Sequence, residues 1–197
     1  MRQRIYIDID DVIFNTSEVV IDYLNKIYQI NPPKTFQDVK DWNYRSIYRN
    51  RDFSLIEKYW EQEEFFNQVT VNPIFIDLYN KTKGKIEWIL FTTGTDLNLD
   101  LKIKYFADLL PELELICVPF SCKKSDYYLK DGIQIDDNYE NLCSNAQLKI
   151  LLKNGNETTY NKVLNYHDDL YICDTWDDLR DIILFLVEHP EYKDKNF

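Results

Sequence analysis

Residues 86–91 form a nearly unbroken apolar run that ends at Thr92 and Thr93. A run of that length without polar alternation suits a strand buried on both faces, as in a parallel sheet covered by other layers. The pattern recurs. Further strands are expected at 5–7, 113–118, 133–135, 148–152 and 171–173, with helix-period segments between them. Asn15 with Glu18 opens a helix carrying Val19, Val20, Tyr23, Leu24 and Ile27, and Asn72-Pro73 opens another that Gly84 closes. A third runs over 97–110, and Thr175 with Asp178 caps a last one through Leu186. Asn154-Gly155 reads as a hairpin turn. The expected fold class is α/β: a mostly parallel, Rossmann-like sheet with helices on both faces.

Residues 15–72 contain no convincing strand. Ser54 and Glu57 form a capping-box pattern, opening a helix through Tyr59, Trp60 and Phe65. With 197 residues and 45% hydrophobic content, the chain suits one domain carrying an insert better than two independent domains. The expected division is a core of 1–14 and 73–197, with a mainly helical insert over 15–72.

A formal charge of −11 argues against a long nucleic acid as partner, because such affinity comes from Lys and Arg neutralising phosphates. No apolar run is long enough to span a bilayer. Met-Arg-Gln-Arg leads straight into a strand without the apolar stretch of a signal peptide, so a cytoplasmic location is expected. The four cysteines show no Cys-x-x-Cys pairing, and two histidines are too few for a zinc set. None of the four glycines belongs to a phosphate-binding glycine loop.

Polar clusters sit where the expected strands end. Asp8 and Asp10 follow the first, Thr92 and Thr93 the second, and Asp136 and Asp137 the strand at 133–135, with Lys123 and Lys124 in the connection before it. Two carboxylates one residue apart past a buried strand can bind a divalent cation, or divide nucleophile and acid/base duties at phosphorus. Taken singly, these are an acidic turn, a strand-end threonine, a helix cap and a solvated lysine pair. Their joint placement at one sheet edge is what argues for a site, since ligands of parallel sheets bind there.

In this order and strand context, Asp8-x-Asp10, Thr92, a lysine at 123 or 124 and Asp136-Asp137 resemble the haloacid dehalogenase-like (HAD) phosphohydrolase superfamily. The insert looks like the helical cap called C1, and the layout most resembles the 5′(3′)-deoxyribonucleotidase branch. The resemblance implies Asp8 as nucleophile forming an aspartyl-phosphate, and Asp10 as acid/base that also gives its backbone carbonyl to Mg²⁺. It implies Asp8, Asp10, Asp136 and Asp137 around the metal, with Asp136 favoured over Asp137 as the direct ligand. Thr92, Thr93 and Gly94 would donate to phosphoryl oxygens, and Lys124, favoured over Lys123, would neutralise charge. Asp11 departs from the glycine commoner at its position. Phe14, Trp42, Tyr44 and Trp60 offer an aromatic wall for a base, or form the insert's own core, which fits Trp60 best.

The implied activity is Mg²⁺-dependent hydrolysis of a small phosphate monoester, foremost a nucleoside or deoxynucleoside monophosphate. A sugar phosphate or other metabolite is the alternative substrate, and a non-catalytic binding protein on the same scaffold is the alternative class. Dehalogenation is disfavoured, since it would leave the metal-binding acids without a role. Oligomeric state stays open.

Overall fold

The computed structural model describes residues 2–48, 53–129, 131–143, 145–165 and 167–189. In chain order the elements are β1 (Gln3–Ile7), α1 (Thr16–Tyr28), α2 (Ser54–Trp60), α3 (Glu63–Phe66), α4 (Pro73–Thr82), β2 (Ile86–Gly94), α5 (Asp96–Leu109), β3 (Glu114–Pro119), β4 (Gly132–Asp136), β5 (Leu148–Leu152), β6 (Leu170–Cys173) and α6 (Trp176–Glu188). The six strands make one sheet in the order β3-β2-β1-β4-β5-β6, and every pairing is parallel. The expected α/β class and parallel sheet are what the chain adopts. Strand order reverses direction at β1, so the crevice beside its carboxyl end is where such a sheet binds ligands.

Alternation along the strands divides the core. Ile5, Ile7, Trp88, Leu90, Ile133 and Ile135 pack with Phe75 and Leu78 of α4, Phe106 of α5, and Leu179 and Ile183 of α6. The intervening residues Tyr6, Ile89 and Phe91 point the other way, onto Val118, Leu129, Cys143 and Ala146. The helical cover expected on both faces is therefore long on one. On the other it is reduced to connections carrying the 3₁₀ turns Lys124–Asp126 and Tyr139–Asn141.

Local chemistry explains the helix starts. The Asn72 side chain accepts from Ile74 N at 2.9 Å with Pro73 behind it, and Thr175 with Asp178 closes a full capping box. Trp176, in the first turn of α6, donates its indole N–H to Val12 O at 2.8 Å and pins the loop after β1. That loop leads into the helical segment. Phe14 bridges Val71 antiparallel, Asn72 N donates to Ile13 O at 2.8 Å, and Thr70 N donates to Asn15 Oδ1 at 2.8 Å. Outgoing and returning chain are thus stapled at one point.

Three local expectations change. Asn154-Gly155 does turn, both residues having positive φ, but β5 and β6 are parallel and form no hairpin. The polar stretch after the turn has no alternating apolar face to pair, and it docks on 36–40 instead, with Asn156 Nδ2 donating to Phe36 O and Val39 O. Asn15 stands at the start of α1 without capping it, because its side chain serves Thr70. Ser54 is already inside α2, which stops at Trp60, so Phe65 belongs to a separate helix.

All four cysteines are free, and among the described residues no helix is long and apolar enough to cross a membrane. Gly132 in β4 lies against the buried Tyr6 ring, where an added Cβ would overlap ring carbons. Gly132→Ala is expected to lower stability by about 1–3 kcal/mol, the usual cost of overpacking a closed core, as read from denaturant melts.

Candidate active site

Asp8 follows β1 directly, and its backbone N–H still bonds to Ile135 O at 3.0 Å, which fixes the height at which its carboxylate leaves the sheet. Thr92 is in the last part of β2, and Asp136 is the last residue of β4. Since β1 lies between those strands, three polar strand ends stand side by side.

Lys124 reaches them from the connection after β3. Its Nζ is 2.6 Å from Asp8 Oδ1, 2.8 Å from Asp136 Oδ2 and 5.4 Å from the centre of the Phe91 ring, with only 2% of the residue exposed. Lys123 is exposed and does not line the site cavity, so the fold brings Lys124 alone of the pair to the carboxylates. Asp136 Oδ1 accepts from Asn138 N at 2.9 Å and Asn141 Nδ2 at 3.1 Å. Both its oxygens are engaged. Asp137 lines the cavity next to it, and single carboxylate oxygens of Asp8, Asp136 and Asp137 all lie within 4.8 Å of one another.

This crowding is electrostatically costly. Burial pushes Asp8 up to about 7 against the pull of Lys124, and the charges of Asp136 and Asp10 add to the rise. Burial and then the charges of Asp136, Asp11 and Asp8 hold Asp137 well above the usual carboxylate range. Burial works against the charge on Lys124, but Asp136 and Asp8 outweigh it and raise its pKa. One ammonium thus faces three clustered carboxylates. Asp8 Oδ1 is buried and, although in ion-pair contact with Lys124, has no hydrogen bond among the described residues. An all-oxygen donor set with fewer cationic than anionic groups fits Mg²⁺.

Asp10 is held differently. Its Oδ1 accepts from Thr16 Oγ1 at 2.8 Å, and its Oδ2 lies 2.5 Å from Nζ of Lys102. Asp11 adopts φ 53°, a left-handed conformation that Asp tolerates better than most residues. Its carboxylate accepts from Ser17 N at 2.7 Å and from Ser17 Oγ, while Asn154 Nδ2 donates to its carbonyl. Ser17 Oγ is 2.9 Å from the Tyr44 hydroxyl. Asp11 thus anchors the first turn of α1 and, through it, the segment around Tyr44.

Above the strand ends is a cavity of about 260 Å³. Asp8, Asp10, Asp11, Thr93 and Asp137 line its floor, and Trp42, Tyr44, Trp60, Phe120 and Tyr160 are among its walls. The helical segment closes over it from two sides. Thr159 N donates to Lys40 O at 2.8 Å, Asn98 Nδ2 to Trp60 O at 2.9 Å, and Thr95 Oγ1 to Glu61 Oε1 at 2.6 Å.

Several residues singled out in the sequence stand elsewhere. Phe14 is in the core, stacked on Phe106 at 5.3 Å and edge-on to Tyr105 and Phe66, because the stapled turn after β1 points it inward. Thr92 is fully buried beneath the cavity, and the Thr93 hydroxyl donates to Val118 O at 2.9 Å. Gly94 does not line the cavity, but its missing Cβ makes room for Asn98. Trp42 is 54% exposed at the rim, Tyr44 is a buried wall, and Trp60 both lines the cavity and packs edge-on against Phe53.

Lys102, Asn98, Phe120 and Tyr160 went unread in the sequence. Lys102 did leave a signal: with Leu99 and Phe106 it forms the buried stripe of α5, where a charged residue is out of place. Phe120 and Tyr160 lie in irregular connections with no periodicity to mark them.

No protein-family model matches this chain, and no curated protein matches it. Solved structures do. A haloacid dehalogenase-like hydrolase from Streptococcus pneumoniae superposes with a TM-score of 0.63 at 15% identity, over 93% of this chain and 98% of the other. A protein from Clostridium acetobutylicum described as a predicted phosphatase gives 0.56 at 13% identity, over 93% and 99%. The HAD-hydrolase YfnB from Bacillus subtilis, bound to magnesium, gives 0.55 at 13% identity, over 92% and 98%. The chain has the fold of the HAD hydrolases.

Proposed function

We propose that this HAD-fold chain is a Mg²⁺-dependent phosphomonoesterase in which residues 15–72 act as a cap over the strand ends. The observation that carries the reading is the buried Asp8 carboxylate, 2.6 Å from Lys124 and grouped with Asp136 and Asp137 at the floor of a closed-over cavity. A carboxylate is a competent nucleophile toward phosphorus once cations screen its repulsion from the phosphate. Asp8 attacks, the bond from phosphorus to the ester oxygen breaks, and Asp10 gives that oxygen a proton. Asp10 then takes a proton from the water that cleaves the aspartyl-phosphate, releasing inorganic phosphate. Lys124 balances charge on Asp8 and on the transferring group, while the backbone after Thr92 orients the phosphoryl oxygens. Asp8, the Asp10 carbonyl and the acidic pair would hold the metal, with Asp137 the freer of the two because Asp136 is already bonded to Lys124, Asn138 and Asn141. Bound Mg²⁺ supplies charge screening at the phosphoryl oxygens.

For the substrate, the reading is a nucleoside monophosphate. A cavity of about 260 Å³ suits one small metabolite. Its aromatic walls suit a planar base.

Phosphate release across nucleoside monophosphates, sugar phosphates and phosphorylated acids is expected to give the highest kcat/KM with a nucleotide. Excess EDTA should remove at least about 99% of turnover, and Mg²⁺ should restore it. Preference for a sugar phosphate would move the substrate to the alternative reading, and turnover surviving EDTA would sink the metal-dependent mechanism.

A further inference from the structure

Lys102 is 1% exposed, although it lies on a helix whose other buried positions include Leu99 and Phe106. Its Nζ has three acceptors at hydrogen-bond distance: Asp10 Oδ2 at 2.5 Å, Thr92 Oγ1 at 2.9 Å and Thr93 O at 3.1 Å. An ammonium has three donors, so all are used, and their directions are fixed. Burying that charge in an apolar stripe costs more than a Leu or Met would at the same place.

What the ammonium accomplishes is geometric. With Thr16 Oγ1 on the other oxygen at 2.8 Å, it clamps the Asp10 carboxylate from two helices, α1 and α5. Without the clamp the carboxylate, with a third of its side chain exposed, is free to rotate away from the cavity floor.

We infer that Lys102 is a positioning residue that holds the Asp10 carboxyl group facing the departing ester oxygen, to which it gives its proton. The inference rests on the reading of Asp10 as acid/base. In that step the phosphorus to ester-oxygen bond breaks, the Asp8 to phosphorus bond forms, and Asp10's proton goes to the leaving oxygen. An alkoxide needs that proton in order to leave. A nitrophenolate, being a stable anion, leaves without it.

The two kinds of ester therefore separate positioning from support of the fold. kcat/KM covers the steps up to departure of the leaving group, before the water attack in which Asp10 acts as base. In the full-length protein with Mg²⁺, Lys102→Met is expected to lower kcat/KM on the best alkyl ester of the panel by about 10²–10³-fold, the range for one acid/base group. On p-nitrophenyl phosphate the loss should stay below about tenfold, the share passing through the strand end at Thr92 and Thr93, which Lys102 also holds. Combined with Asp10→Asn, it should add little further loss on the alkyl ester, as expected for two residues acting as one unit.

Equal losses on both esters, or additive losses in the double variant, would overturn the inference. If Lys102→Met does not fold, Lys102→Leu, which likewise removes every donor, is read on the same two esters against the same outcomes. Failure of the underlying reading looks different. It would be a wild-type protein that hydrolyses neither ester, or one whose alkyl-ester turnover is untouched by Asp10→Asn.

Discussion

Replacing Asp8 by Asn is expected to cut phosphate release by about 10⁴-fold or more while leaving the protein folded, because an isosteric amide keeps the shape and removes the nucleophile. Phosphate release measured on the best ester of the panel checks the first half, and residual turnover near wild type would exclude Asp8 from the chemistry. Thermal melts in EDTA check the second. The folded-state pKa of Asp8 is raised from the ordinary 3.8 to about 7, with burial the largest cause. The folded protein therefore holds that proton more tightly than the unfolded chain. Its contribution to stability is fully present below pH 4 and is lost as pH rises through about 7. Asn carries no such proton. The variant should match wild type at pH 4 and become the more stable protein as pH rises to 7, with the gap constant above that. A variant that instead falls below wild type as pH rises would mean that Asp8 is stabilised as a charge in the metal-free protein.

The second large effect is at Lys124. Lys124→Met keeps most of the buried side-chain volume but leaves Asp8 and Asp136 without their shared cation. Removing one partner of a buried ion pair typically costs roughly 3–5 kcal/mol, because the charges left behind stay desolvated. For a chain of this size that is a fall in Tm of about 6–20 °C, together with loss of most phosphate release. Adding Asp136→Asn should recover part of the stability and none of the activity, since the amide relieves the repulsion without returning the cation. A variant that melts with wild type would show that Lys124 carries no net share of the site's charge balance.

Strand and helix positions were legible because each is set by local periodicity: 86–91 had to be a doubly buried strand wherever it lay in the sheet. The acidic and threonine clusters were legible for a related reason. A polar residue that ends such a run has one available exit, the strand's carboxyl edge. Asn154-Gly155 misled because a turn fixes only the direction of two or three residues, and pairing depends on whether the next segment has a face to pair. Phe14 misled because an aromatic beside a motif reads the same whether it faces ligand or core. Lys102 was legible in principle, as the one charge among the buried positions of α5, and shows that a buried-stripe lysine merits the same attention as a motif.

The sequence by itself determined the α/β alternation and the set of strand ends that carry Asp8, Asp10, Thr92 and Asp136, because burial along a strand or helix is written in neighbouring residues. Only the tertiary structure decided that Lys124 and not Lys123 meets Asp8, that Lys102 crosses 92 positions to reach Asp10, and that Trp42, Phe120 and Tyr160 share one cavity wall. Those contacts join segments whose separation along the chain is far longer than any local period. They exist because parallel strands require crossovers, and it is the order of strands in the sheet that sets which crossovers meet.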